Sequence, residues 1–271
     1  MSPTRQTSIR AAETAPRPLV GFAHDYPDGL ASGMHTHPRA QLLYALSGIM
    51  RIEAPHAAYT VPPGFALFVP ADLPHGIRMD GPVAMRTLLL RQDAARRTGL
   101  GIAVIAVSPL LREVILAACD EPLAWDRRGR GRWLTELALD EIARASVLPF
   151  ALPMPADARL RRAVDIVRTR PAEDRRLSDL ADAAGASSRT LARLFRAETG
   201  LSFRQWRQNA RLAAAMEALA RGAPPARAAG IGGFGTQSSF GAAFRAVYGM
   251  TPGQARGIAR DALRNASAPP R

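Results

Sequence analysis

LADAAGASSRTLARLFRAETGLSF, from Leu180 to Phe203, and AAGIGGFGTQSSFGAAFRAVYGMTP, from Ala228 to Pro252, are one pattern written twice. Setting Phe195 on Phe244 also sets Arg196 on Arg245, Ala197 on Ala246 and Gly200 on Gly249. Each copy reads as a short helix, a turn of small residues, and a second helix with apolar residues at helical spacing. That is a helix-turn-helix signature. Two in tandem predict a domain that lies along duplex DNA.

The charge supports this. The chain has 271 residues and a formal net charge of +13. Its basic residues are all arginine, a bias that a GC-rich genome would also produce. Placement is more telling. Residues 157–271 hold 20 Arg against nine acids, whereas 1–156 hold 16 Arg against 14 acids. Basicity confined to one half points to a polyanion-binding domain fused to a near-neutral one. Cys119 is the single cysteine, which excludes an intrachain disulfide and reads as a buried small hydrophobe. The N-terminus lacks the apolar run of a secretory signal, and GLGIAVIAV is too short to cross a bilayer. A reducing cytoplasm is the expected compartment.

The chain reads as α+β. Residues 1–18 look like a loose, flexible arm. Residues 19–147 form a first domain: β texture with turn residues between short apolar runs up to Leu90, then helices over about 108–146. In those helices Ser108-Pro109 is a cap, and Leu134, Leu137 and Ile142 mark an apolar stripe. LPFALPMP, within the proline-rich segment 148–156, cannot continue a helix and is taken as a linker. Residues 157–257 form an all-helical domain. Its first helix turns Leu160, Ala163, Val164 and Val167 inward, the next starts at Ser178 as N-cap and closes at Gly185, and a long helix over SFRQWRQNARLAAAMEALARG joins the two motifs. Residues 258–271 are a tail.

In the helix after the first turn, Leu191, Leu194 and Phe195 hold the motif together. Arg189, Arg193 and Arg196 then share the exposed face, bordered by Thr190. A guanidinium can grip a guanine edge in two places or fork onto phosphate. An ordinary solvated surface helix is the alternative. In the second copy Phe240, Phe244 and Val247 face inward, leaving Gln237, Ser238, Gly241, Ala242 and Arg245. Gln237 suits adenine and Ser238 a base or phosphate. Gly241 and Ala242 carry no donors, so this helix is expected to give close approach and backbone contact more than base reading. Helices inserted from one rigid frame should lie about one duplex turn, roughly 34 Å, apart.

The last hundred or so residues, LADAAGASSRTLARLFRAETGLSFRQWRQNARLAAAMEAL and GFGTQSSFGAAFRAVYGMTPGQAR, resemble the DNA-binding domain of the AraC/XylS family of bacterial transcription regulators. The resemblance implies base contacts from Arg189, Thr190 and Arg193, then from Gln237 and Ser238. The family commonly has a basic residue where this chain has Ala242.

All five histidines fall in the β region. HTHPRAQLLYALSG, VPPGFALFVP and LPHGIRM resemble the two motifs of cupins, small β-barrels, as they occur in an N-terminal barrel of a subgroup of the same family. His35 and His37 lie two apart and so share a face. His75 comes from another strand, and Gln41 stands where metal-binding cupins usually have Glu. Three imidazoles and a carboxamide oxygen could hold Zn, Fe, Mn or Ni as divalent ions. The alternatives are that they line an effector pocket or satisfy one another. Tyr44, Phe65, Phe68 and Arg86 are the candidate pocket walls. His24 and His56 read as structural.

The leading reading is a sequence-specific regulator with no required cofactor and no enzymatic activity. Its expected partners are double-stranded DNA, a second copy of the chain, a small-molecule effector and RNA polymerase, with no membrane. The rival is a metal-dependent cupin dioxygenase or isomerase carrying an accessory basic domain. Glu53 is the acid nearest the strands for proton transfer, but nothing in the sequence fixes it beside the histidines. A nonspecific nucleoid protein would fit the charge and leave the barrel unexplained.

Overall fold

Strand-forming runs dominate the first half because its apolar residues recur with period two or in short unbroken blocks. The computed structural model describes residues 8–266. In chain order the first elements are α1 (Ile9–Glu13), β1 (Leu19–Tyr26), β2 (Ala40–Ala45), β3 (Ile49–Ala54), β4 (Ala57–Val61), β5 (Phe65–Val69), β6 (Gly76–Asp80) and β7 (Val83–Leu90). There follow α2 (Gln92–Arg96), β8 (Ala103–Ala106), α3 (Pro109–Asp120), α4 (Arg130–Arg144), β9 (Val147–Leu148) and β10 (Ala151–Pro153). The rest is helical: α5 (Ala158–Thr169), α6 (Leu177–Ala184), α7 (Ser188–Thr199), α8 (Phe203–Ala220), α9 (Pro225–Ile231), α10 (Gln237–Tyr248) and α11 (Pro252–Ala266).

Two compact units emerge among the described residues, one of residues 8–52, 61–149 and 261–266, the other of residues 53–60 and 150–260. The division after Pro149 falls inside the expected linker, which is itself partly strand (β9, β10). The end of the β3–β4 hairpin goes with the helical unit, where Leu152 of β10 pairs antiparallel with Ala58. The sequence gives no sign of that exchange.

In the first unit the larger sheet has the order β1-β7-β2-β5-β8-β9, and β3 and β6 are neighbours in the smaller one. β2 is buried at every position. Ala40, Leu42 and Tyr44 join Phe68, Leu88 and residues of α3 and α4 in one core. Alternation then turns Gln41 and Leu43 to the opposite face, the barrel interior. Helix α3 lies close on β1: a Cβ on Gly21 would fall 2.4 Å from the Ala118 carbonyl oxygen.

Several expectations are corrected. Residues 8–18 are not loose. Ser8 caps α1, and the buried Arg39 guanidinium donates to the carbonyls of Glu13 (2.7 Å), Arg17 (2.9 Å) and Ala15. Residues 1–7 of the expected arm lie outside the described residues. The stripe of α4 is shifted in phase. Gly131, Thr135, Ala138, Leu139 and Ile142 are buried, while Leu137 is 37% exposed. The Trp125 ring stands 2.5 Å from where a Cβ of Gly131 would be, so this glycine admits the indole and turns the helix. Ser178 is not the N-cap of α6, because that helix starts earlier and the Asp179 carboxylate accepts from the Arg176 N–H at 3.1 Å. The expected tail is helical as far as Ala266, and 267–271 lie outside the described residues.

In the helical unit, Leu160, Ala163, Val164 and Val167 of α5 face inward as expected, against Leu180, Leu191, Phe195 and Trp206. The Trp206 indole donates to the Pro153 carbonyl at 2.7 Å. The second motif is centred on a run of rings, Phe234–Phe240–Phe244–Tyr248, with successive centroids 5.2, 5.4 and 4.7 Å apart. Tyr248, fully buried, takes the inward place expected of Val247, which is half-buried.

The repeat runs deeper than the motif. Ser187 and Thr236 cap α7 and α10, each accepting a backbone N–H at 3.1 Å. Gly200 and Gly249 end them with φ of 70° and 69°. Ser202–Gln205 and Thr251–Gln254 build matching starts for α8 and α11, with Gln Oε1 accepting the cap N–H at 2.9 and 2.8 Å. Each pair keeps the same spacing as Phe195 and Phe244.

The two copies are locked together by the 170–176 loop. Arg211 of α8 donates to the Pro171 carbonyl at 2.9 Å, and Arg207 to Asp174 at 2.7 Å and the Arg175 carbonyl at 3.0 Å. Gly233, in the turn before α10, has φ 69°, and a Cβ there would lie 2.7 Å from Ala172 Cα. Both conformation and space therefore require glycine. Gly233→Ala should cost about 1–3 kcal/mol, read as a lower denaturant midpoint of the full chain. An unchanged midpoint would show that the turn and the loop do not pack as described.

Candidate nucleic-acid interface and histidine cluster

Each second helix of the repeat buries one stripe and leaves the other in solvent. On α7, Leu191, Leu194, Phe195 and Thr199 are buried, while Arg189, Arg193 and Arg196 are exposed and Thr190 is half-exposed. On α10, Gln237, Ser238, Ala242 and Arg245 are exposed and Gly241 is half-buried. The predicted face of each helix is thus brought together in the expected order.

The arginines of this unit differ in their partners. Arg159, Arg168, Arg170, Arg175, Arg207, Arg211 and Arg221 each have an acidic partner. Among the described residues, Arg189, Arg193, Arg196 and Arg245 have neither an ion-pair nor a hydrogen-bond partner, as is also true of the exposed Arg204, Arg227 and Arg256; what sets the first four apart is that three share one face of α7 and the fourth lies at the matching place on α10. Exposed guanidiniums left without counter-charge, on the face of a helix held by its other side, are set to meet an anion. Neighbouring acids have instead been spent on the arginines that build the frame.

In the barrel unit, His35 and His75 are opposed in an isolated bridge, each N–H donating to the other's carbonyl at 2.9 Å. His37 follows two residues on, and its carbonyl accepts from Asp72 N–H at 2.8 Å. The ring centroids of His35 lie 4.7 Å from both His37 and His75, and those of His37 and His75 are 5.4 Å apart. One ligand atom from each lies within 4.8 Å of the others. His75 and Gln41 are buried; His35 and His37 are half-buried.

The hydrogen bonds fix how the rings present themselves. His75 Nδ1 lies 2.9 Å from the Leu73 carbonyl and His35 Nδ1 lies 3.0 Å from the Gly33 carbonyl. A carbonyl only accepts, so both Nδ1 atoms carry the proton. His37 Nδ1 meets the Glu13 carboxylate. In each ring this leaves Nε2 as the lone-pair atom. His75 Nε2 is 3.2 Å from Gln41 Oε1. Burial lowers the His75 pKa, which favours the neutral ring. Three imidazole nitrogens and a carboxamide oxygen, each ring held from behind by an acceptor, are donor types that would suit a divalent metal ion. The four predicted ligands fit such an ion.

The predicted pocket walls do not. Tyr44 and Phe68 lie on the helix-covered side of the sheet, in the core with α3 and α4. Tyr44 is opposite Arg86, which donates to Asp25 at 2.8 Å. Phe65 alone of the four alternates to the interior. The runs QLLYAL and FALFV are apolar on both faces, so their pattern does not say which residues point inward. Inside the barrel, Thr87 Oγ1 is buried with no hydrogen-bond partner among the described residues. Glu53 pairs with Arg168 in the helical unit at 3.5 Å. Cys119 is half-buried, and burial pushes its thiol up to about 12. Glu13, Arg39 and Thr87 are missing from the sequence-based site. Glu13 closes a short helical turn after Ser8, but no spacing ties it to His37.

No helix among the described residues is long and apolar enough to cross a membrane. Residues 180–257 match the family model described as a helix-turn-helix domain, of AraC type, and residues 22–90 match that of the cupin domain. The HTH-type transcriptional regulator NimR of Escherichia coli (strain K12) is 30% identical over 231 residues, covering 85% of this chain and 84% of that protein. The HTH-type transcriptional regulator RipA of Corynebacterium glutamicum is 36% identical over 100 residues, 37% of this chain and 30% of that protein. Among solved structures, ToxT from Vibrio cholerae O395 aligns over 89% of this chain and 98% of its own at 11% identity and a TM-score of 0.38. The near-full-length likeness to a regulator and the two domain matches show that the chain belongs to the AraC family of transcription regulators, with an N-terminal cupin domain and a DNA-binding helix-turn-helix domain.

Proposed function

We propose that this regulator reads DNA through Arg189, Thr190, Arg193 and Arg196 on α7 and through Gln237, Ser238 and Arg245 on α10, and that a divalent metal ion held by His35, His37, Gln41 and His75 is its effector. The observation that carries the DNA assignment is the set of unpartnered guanidiniums on α7, against the paired ones that build the frame. The effector assignment rests on the ligand atoms of His35, His37 and His75, all within 4.8 Å of one another, and on a barrel interior occupied by side chains such as Leu43, Ile52, Phe65 and Leu67, all within 1% of full burial. An ion needs no larger cavity. The work is done in the cytoplasm, where the genome is, with RNA polymerase as the downstream partner. A second copy of the chain would cover Trp133 and Leu137, one turn apart on α4 and 63% and 37% exposed.

Arg193→Ala should weaken binding to a selected duplex by about 1–3 kcal/mol and relax preference at one base pair. Arg159→Ala, at an arginine paired with Asp157 at 2.9 Å, should leave the preference intact. Selection of duplexes by both variants measures the difference, and equal profiles would remove α7 from base reading.

Zn²⁺ added to the purified full chain should bind with one-to-one stoichiometry and change the footprint on the selected duplex. His75→Ala should abolish both effects while DNA is still bound. A footprint that responds to Zn²⁺ equally in the His75→Ala protein would place the effector elsewhere.

A further inference from the structure

We propose that Glu13 is the positioning carboxylate of this metal centre, so that the N-terminal segment 8–18 completes the site by holding His37. The inference rests on the metal reading of the histidine cluster given above.

The three histidines are supported differently. His35 and His75 give their Nδ1 protons to the carbonyls of Gly33 and Leu73, each two residues away on the same stretch of chain. Those acceptors come with the local backbone. His37 relies instead on the carboxylate of Glu13, on a separate element that precedes the barrel. The side chains of this pair are 12% and 16% exposed, so the contact is largely withdrawn from water, unlike an ordinary surface ion pair.

Glu13 is also held by its main chain. Arg39, two residues beyond His37, donates from Nε to the Glu13 carbonyl at 2.7 Å and from its other nitrogens to Ala15 and Arg17. One short segment, 37–39, therefore grips both the side chain and the backbone of Glu13. An anion on Nδ1–H selects the tautomer whose Nε2 is bare, fixes the ring and raises its basicity as a ligand. A bare carboxylate, rather than a carbonyl, is the strongest form of that support. By linkage, whatever Glu13 adds to metal affinity the metal returns to the docking of residues 8–18. Metal loading would then be written into the order of the N-terminal segment.

The test uses the full chain and Zn²⁺ alone. Affinity is read by competition with a chromogenic chelator, and order by amide hydrogen exchange over residues 9–18. Glu13→Gln should weaken Zn²⁺ binding by about 10–100-fold, Glu13→Asp should recover part of that loss, and circular dichroism of both should match the parent. Zn²⁺ should slow exchange over 9–18 in the parent and much less in Glu13→Gln. If Glu13→Gln binds Zn²⁺ within twofold of the parent, or if Zn²⁺ leaves exchange over 9–18 in the parent unchanged, Glu13 does not position the site and the metal reading stands without it. If the folded parent binds no Zn²⁺ at all, the metal reading and this inference fall together.

Discussion

The seating of the 170–176 loop against α8 and against the turn before α10 sets the relation between the two helix-turn-helix motifs. Two helices that read one duplex must match its repeat in both spacing and rotation. The Arg207–Asp174 ion pair contributes little, since the Asp174 side chain is 80% exposed and screened by water. The weight falls on the Arg211 bond to the Pro171 carbonyl and on the approach of Gly233 to Ala172. A backbone-to-backbone contact through a glycine leaves no side chain to flex, so the frame transmits position with little slack.

The barrel follows a different logic. Its interior is apolar except for Gln41, His75 and Thr87, whose polar atoms would each cost about 1–3 kcal/mol if left unsatisfied. His75 meets the Leu73 carbonyl at Nδ1 and Gln41 at Nε2, while Thr87 Oγ1 lacks a hydrogen-bond partner among the described residues. Gln41 and His75 bring buried polar atoms to the place where the two half-buried histidines also meet. Glu13 supplies negative charge on the outer side of that site, which partly makes up for the neutral Gln41 within it.

Much of this was legible in the residues. The paired motifs, the cap at Ser108 and the glycine stop at Gly185 follow from local chemistry, and local chemistry survives folding. The exposed face of α7 was legible because Leu191, Leu194 and Phe195 fix its phase. What failed was non-local. Strands buried on both faces carry no period to orient them, so Tyr44 and Phe68 were assigned to the interior. The phase of α4 depends on Trp125 entering over Gly131, a contact between different elements. Glu13 and Arg39 meet across some two dozen residues, with no spacing rule to announce them.

The repeat also explains why two similar helices are proposed to act unequally. At the positions of Arg189, Arg193 and Arg196 on α7, α10 carries Ser238, Ala242 and Arg245. A bidentate guanidinium on a base edge discriminates by about 1–3 kcal/mol, and an alanine discriminates little. On the proposed reading, most sequence preference therefore lies in the groove met by α7. Gly241 and Ala242 let the α10 backbone come close to the duplex, and Arg245 retains a charge for phosphate. The conserved frame and unequal faces together let one half of the domain choose the site while the other fixes its register.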